Sequence, residues 1–115
     1  MIERIDGGPR MSEAAVHNGV AYLAGQVSSG GATDIDGQTR EVLAAIDALL
    51  ARAGTDKTRV LRAQIFLADM ADFPGMNAVW DQWVVPGHTP ARATVQAALA
   101  KPQWKVEIVV TAALP

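Results

Sequence analysis

Two charged side chains sit inside runs that otherwise read as apolar strands. The closing stretch TPARATVQAALAKPQWKVEIVVTAALP holds two such runs, and Arg92 interrupts the first while Glu107 interrupts the second. Side chains alternate along a strand, so Arg92 and Thr94 share one face of theirs, and Lys105, Glu107, Val109 and Thr111 share one face of theirs. The planar fork of a guanidinium binds both oxygens of a carboxylate. A carboxylate placed among apolar neighbours is costly without a partner. Residue types alone leave two readings open. One is a structural Arg92–Glu107 ion pair in a subunit interface. The other is a ligand site in which Arg92 takes a carboxylate from a small molecule.

The remaining chemistry-bearing residues point less sharply. His17 and His88 are far apart, with no HxxxH or His-carboxylate spacing, so no metal site is expected. His88 falls in a PGHTP loop just before Arg92 and reads as a solvated loop side chain. The chain has no cysteine, which removes disulfides, thiolate metal sites and a cysteine nucleophile. Ser12, Ser28 and Ser29 lack the surroundings of a nucleophile elbow. The Ser28–Gly31 loop lacks the Lys-Ser/Thr pair of a phosphate-binding loop and reads as a connection. Trp80 and Trp83 read as helix core or interface, and Asp34 and Asp36 as the polar start of a helix.

The 115 residues suffice for one domain, 1–115, to hold these side chains. Half are hydrophobic and 19% charged, the profile of a globular domain with a core. A net charge of −2 and no Lys/Arg run weigh against a nucleic-acid surface. No stretch has the roughly 20 apolar residues of a membrane helix, and MIERIDGG has no apolar run of a secretory leader, so a cytoplasmic location is expected.

A weak strand is expected over 11–16, then an Asn18-Gly19 hairpin turn and a strand VAYLAGQV over 20–27. Val42, Ile46, Leu49 and Leu50 recur at helical spacing, giving a helix over about 36–53 that Gly54 caps. A strand follows over 60–68, a second helix over 73–84 stopped by Pro86 and Gly87, and strands over 91–97 and 105–113. Strand–helix–strand connections favour parallel neighbours, so both helices are expected on one face of a mixed sheet. Val106, Ile108, Val109 and Val110 are apolar at successive positions, which implies cover on the second face from another copy of the chain.

The ordered set YLAGQV, GQTREVLAAIDALLARAG, IFLADM, DFPGMNAVWDQWV, PAR and KVEI resembles the RidA (YjgF-type) family of reactive-intermediate deaminases over nearly the whole chain. The resemblance implies a chorismate-mutase-like α/β (α+β) fold, a mixed six-stranded sheet with two helices packed on one face. It implies a homotrimer with clefts between subunits, and a strand between the last two strands, so that Arg92 and Glu107 are not cross-strand neighbours. It implies cofactor-free hydrolysis of 2-imino acids and their enamine tautomers to 2-keto acids and ammonia. Arg92 would bind the substrate carboxylate and Glu107 would assist water attack or proton transfer, with Thr94, Met11, Gly25 and Gln26 lining the substrate site. Two positions depart from the founding deaminases: Met11 stands where they carry Tyr, and Thr94 where they carry Cys. Competing functions are a trimer that binds small carboxylates without turnover, and an endoribonuclease or translation inhibitor, a label that family members have carried.

Overall fold

The computed structural model describes residues 1–115. Seven strands and two helices follow in the order β1 (Glu3–Ile5), β2 (Ala14–His17), β3 (Val20–Leu23), β4 (Gln26–Val27), α1 (Ile35–Ala53), β5 (Val60–Leu67), α2 (Phe73–Trp83), β6 (Ala91–Gln96) and β7 (Val106–Ala113). One sheet runs β1-β2-β3-β7-β5-β6, and β4 also pairs with β7. Only β5 and β6 are parallel, and α2 makes the crossover between them. The last two strands of the chain are thus separated by β5, as the family resemblance implies.

Local sequence explains most of these elements. Asn18 and Gly19 both take positive φ, 51° and 76°, and close the β2–β3 hairpin with His17 paired to Val20. Asp34 caps α1, its carboxylate accepting from the Gly37 N–H at 2.9 Å. Gly54 ends the helix in the left-handed region at φ 89°. Phe73-Pro74 opens α2, with proline in the first turn, where its missing N–H leaves no helical bond unmade.

The sheet is crossed by one rule of alternation. Val106, Ile108, Val110 and Ala112 of β7, with Ala63, Ile65 and Leu67 of β5, are buried on one side. Val42, Leu43, Ile46 and Leu50 of α1 and Met76, Val79, Trp80 and Trp83 of α2 join them in a single core cluster. The other side carries Glu107, Val109 and Thr111 of β7 beside Phe66 and Gln64 of β5 and Tyr22 of β3, all in register. These are half-buried or exposed, and Tyr22 retains 52% of its surface. Within one chain the helices cover a single face, and the expectation that β7 is buried on both sides is met only on the helix side.

Three expectations are corrected. The sheet has seven strands rather than six, because Ala24 and Gly25 break the expected 20–27 strand into β3 and β4. The first strand of the hairpin begins at Ala14, which leaves Met11 in the preceding loop. A strand at Glu3–Ile5, absent from the sequence reading, pairs antiparallel with β2; it is three residues long and largely exposed, too short for alternation to register.

One buried amide ties the loops around β4 and β7 together. Gln38, 2% exposed, donates through Nε2 to the carbonyls of Ala32 (3.1 Å) and Gln103 (2.9 Å), and its Oε1 accepts from the Lys105 N–H at 2.8 Å. All four hydrogen-bonding positions save one acceptor lone pair are thereby used. Gln38→Leu keeps the volume and strands three backbone groups, so it should destabilise the fold by at least about 1–3 kcal/mol. Urea unfolding at neutral pH measures this, and an unchanged midpoint would remove the amide from the account.

Candidate functional site

Arg92 and Glu107 lie on opposite faces of the sheet. Arg92 pairs with Ala63 in the β5–β6 register, which puts it on the helix side; Glu107 pairs with Phe66, which puts it on the open side. Ala63 in turn pairs with Val110, so the two positions are offset by three residues along the strands and two strands across. At about 3.3 Å per residue and 4.8 Å per strand, that is roughly 14 Å between backbones. No ion pair joins them, the chain's two salt bridges being Arg40–Asp36 and Arg52–Asp6.

The guanidinium of Arg92 is cradled by α2. Nη1 donates to Asn77 Oδ1 at 2.7 Å, and the charge stands 5.3 Å from the Trp80 ring centroid and 5.8 Å from that of Phe73. Both rings present their electron-rich faces to the cation. Phe73, Asn77 and Trp80 recur at helical spacing and so fall on one side of α2. Asn77 is the guanidinium's single hydrogen-bonding partner, so most of its donors remain open to a ligand. Thr94, two residues on and on the same face, holds its hydroxyl oxygen buried with no hydrogen-bond partner.

Glu107 lies across Gly25. A methyl group added at Gly25 would overlap Glu107 Oε2 and come within 2.9 Å of Cδ. The glycine is therefore needed for space: it lets the half-buried carboxylate lie flat on the β3–β4 break. The Glu107 carboxylate has no hydrogen-bond or ion-pair partner within the chain. Gln26 pairs with Ile108 and so points to the helix side, away from Glu107, with Nε2 donating to the Ala24 carbonyl at 3.1 Å. Met11 is exposed in the loop before β2, its carbonyl accepting from the Gly8 N–H at 2.8 Å.

The expected site residues thus divide into two groups. Arg92 and Thr94 form one on the helix side of edge strand β6. Glu107 and Gly25 form the other on the open side, with Met11 in the loop that leads into this end of β2. One chain does not join them, and a site that uses both needs two chains. Sequence reasoning missed Phe73 and Asn77 as the support of Arg92, and read Trp80 as core or interface; its 5% exposure puts it in the core, with its ring also under the guanidinium. The 73, 77, 80 spacing was the available signal. No group of three or more His, Asp or Glu side chains converges anywhere in the molecule. No helix is long and apolar enough to cross a membrane.

Glu41 fixes the loop beyond β4. It accepts from the Ser28 hydroxyl and from the N–H groups of Gly30 (3.1 Å) and Ala32 (3.2 Å). The Ser28 hydroxyl first, and these amides with it, hold the Glu41 carboxyl below its ordinary value of 4.5 against a smaller opposing effect of desolvation.

The chain is an open-faced two-layer α/β domain, with a tethered arginine on one edge and a free carboxylate on the uncovered face. Comparison with known sequences agrees. The family model described as endoribonuclease L-PSP matches residues 1–114, and the chain belongs to this family, the YjgF/RutC group that the sequence resemblance pointed to. A RutC family protein of Haemophilus ducreyi is 53% identical over 99% of this chain and 97% of its own length. The RutC family protein YoaB of Escherichia coli is 48% identical, with 98% of each chain covered. The crystal structure of a YjgF family member from Neisseria meningitidis superposes with a TM-score of 0.97 at 48% identity, covering 100% of this chain and 96% of that one.

Two outcomes test the local geometry. Gly25→Ala should swing the Glu107 carboxylate off the β3–β4 break while the fold survives; a crystal structure of the variant with Glu107 unmoved would refute the spatial role of the glycine. The Glu41 contacts should make stability depend on pH. Because the folded carboxyl titrates below its unfolded value, the stabilisation is complete above about pH 4.5 and is lost as pH falls through the lowered value. Melting curves of the natural chain and Glu41→Gln should therefore differ most near neutral pH and converge on acidification. A gap that persists unchanged to about pH 3 would refute it.

Proposed function

We propose that this chain hydrolyses 2-imino acids and their enamine tautomers to 2-keto acids and ammonia, at a site assembled between subunits of a homotrimer. The observation that carries the reading is the pair of unsatisfied groups on opposite faces: an arginine fork tethered on one side only, and a carboxylate laid over Gly25 with no partner. A second copy that brings its Glu107 face to the Arg92 edge completes a site with one group for the substrate carboxylate and one for water. Covering the Phe66, Val109 and Tyr22 face would bury apolar surface at the same time.

The chemistry asks little of the protein. An iminium carbon is already electrophilic. Arg92 holds the α-carboxylate in a bidentate pair and so orients the carbon. Glu107 accepts a proton from water as the oxygen attacks, and the new C–O bond gives a tetrahedral amino alcohol. Return of that proton to nitrogen lets ammonia leave, and the freed Glu107 carboxylate takes the hydroxyl proton as the carbonyl forms. Water is consumed, one ammonia is released, and no oxidant or reductant is needed.

Met11 favours a second reading. It stands where the founding deaminases carry Tyr, and a thioether cannot donate the hydrogen bond a phenol would. The trimer would then hold small carboxylate metabolites without turning them over. The net charge of −2 counts against the nuclease reading that the family's printed description suggests.

Light scattering at micromolar concentration should return three times the 12.1 kDa chain mass; a monomer would end the shared-site reading. Arg92→Ala should weaken calorimetric binding of pyruvate or 2-oxobutyrate by about 1.5–3 kcal/mol, roughly 10- to 150-fold, and Arg92→Lys should not restore it because an ammonium lacks the fork. Glu107→Gln should lower imine hydrolysis about 10²-fold or more with carboxylate binding and melting temperature kept. If Glu107 instead pairs structurally with a neighbour's arginine, the same variant should lose about 3–5 kcal/mol and melt early with turnover per folded trimer unchanged. The binding reading requires no imine turnover by the natural protein and retained carboxylate affinity.

A further inference from the structure

A groove of about 650 Å³ lies between the β4–α1 loop and residues 101–105. Ser29, Thr33, Lys101, Trp104 and Lys105 stand in its walls, and no acidic side chain is among its lining. Neither lysine forms an ion pair. The Lys101 ammonium rests 5.2 Å from the Trp104 ring centroid, which keeps the charge at the groove without neutralising it. The carboxylate behind the loop, Glu41, is occupied by Ser28 and by the amides of Gly30 and Ala32. Gln38 spends its amide on Ala32, Gln103 and Lys105, so the two walls are held at a fixed separation.

The groove adjoins Glu107. Val27, one of its walls, pairs with Glu107 across β4 and β7. Lys105 precedes Glu107 by two residues, about 7 Å in extended chain. A 2-imino acid the size of the alanine product, bound with its reacting carbon at Glu107, would leave this cationic groove unused. A substrate with a second carboxylate two or three carbons further on would reach it.

We infer that the groove is a subsite for a distal carboxylate, which makes 2-imino dicarboxylic acids the preferred substrate class. The inference rests on the imine-hydrolysis reading above. Lys105, and Lys101 at the outer end, would hold the second carboxylate; Ser29 and Thr33 offer hydroxyl donors beside it. The reaction is otherwise unchanged: the C=N bond takes up water, the C–O bond replaces it, and a 2-keto dicarboxylate and ammonia leave.

The test generates 2-iminoglutarate and 2-iminopropanoate in place, with flavin amino-acid oxidases acting on glutamate and alanine, and follows their disappearance with the natural protein. The expected kcat/KM is at least about 10-fold higher for 2-iminoglutarate, and the Lys101→Met/Lys105→Met double variant should collapse that preference to near parity. Equal kcat/KM values in the natural protein, or a double variant that keeps the preference, would overturn the subsite while leaving imine hydrolysis standing. If neither imine is consumed, the hydrolase reading fails, and the subsite is then decided by calorimetry with 2-oxoglutarate and 2-oxobutyrate. Tighter binding of 2-oxoglutarate that the double variant abolishes supports it; equal affinities, or a preference the double variant keeps, overturn it.

Discussion

The alternation of side chains along β7 governs the molecule. This strand is hydrogen-bonded on both edges, to β3 and β4 on one side and β5 on the other. Its even positions, Val106 to Ala112, are driven against the helices, where each is at most 1% exposed. Its odd positions have no freedom to join them, since a slip of one residue would put Glu107 into the core and Ile108 outside. The charge of Glu107 is thus fixed on the uncovered face by the burial of its neighbours. The break at Ala24–Gly25 then leaves room above the strand for the carboxylate.

The two charges of the opening stretch reach different physical settlements. Arg92 lies on an edge strand over aromatic rings and keeps the outer part of its fork in solvent. The arrangement gives the cation favourable contact without the full desolvation of a buried ion. Glu107 has no compensating charge and depends on partial exposure and a missing β-carbon beneath it. Each solution leaves the group available, whereas a mutual ion pair within the chain would have consumed both.

Much of this was legible in the sequence. Asn18-Gly19, Asp34, Gly54 and the 42, 46, 49, 50 spacing marked their elements because each signal acts locally. The family resemblance supplied the strand order, which no local signal carries. Side-chain alternation groups Arg92 with Thr94, yet alternation alone leaves open which face that group takes. On β6 the answer comes from pairing with β5, a partner about 30 positions earlier. The β3–β4 break was hidden because VAYLAGQV reads as one run. Gln38 was illegible for a similar reason: its partners Gln103 and Lys105 are more than 60 residues away, and a glutamine within a helix gives no sign of what it will reach.

The position of β7 in the sheet also orders the events of folding. The β1–β2–β3 hairpins and the β5–α2–β6 unit are each local in sequence and share no hydrogen-bonded ladder until β7 enters between them. The last of these strands in chain order is the one that joins the two halves. A nascent chain therefore carries two unpaired inner edges, on β3 and on β5, until β7 is made. During that interval both edges are open templates for pairing with other chains.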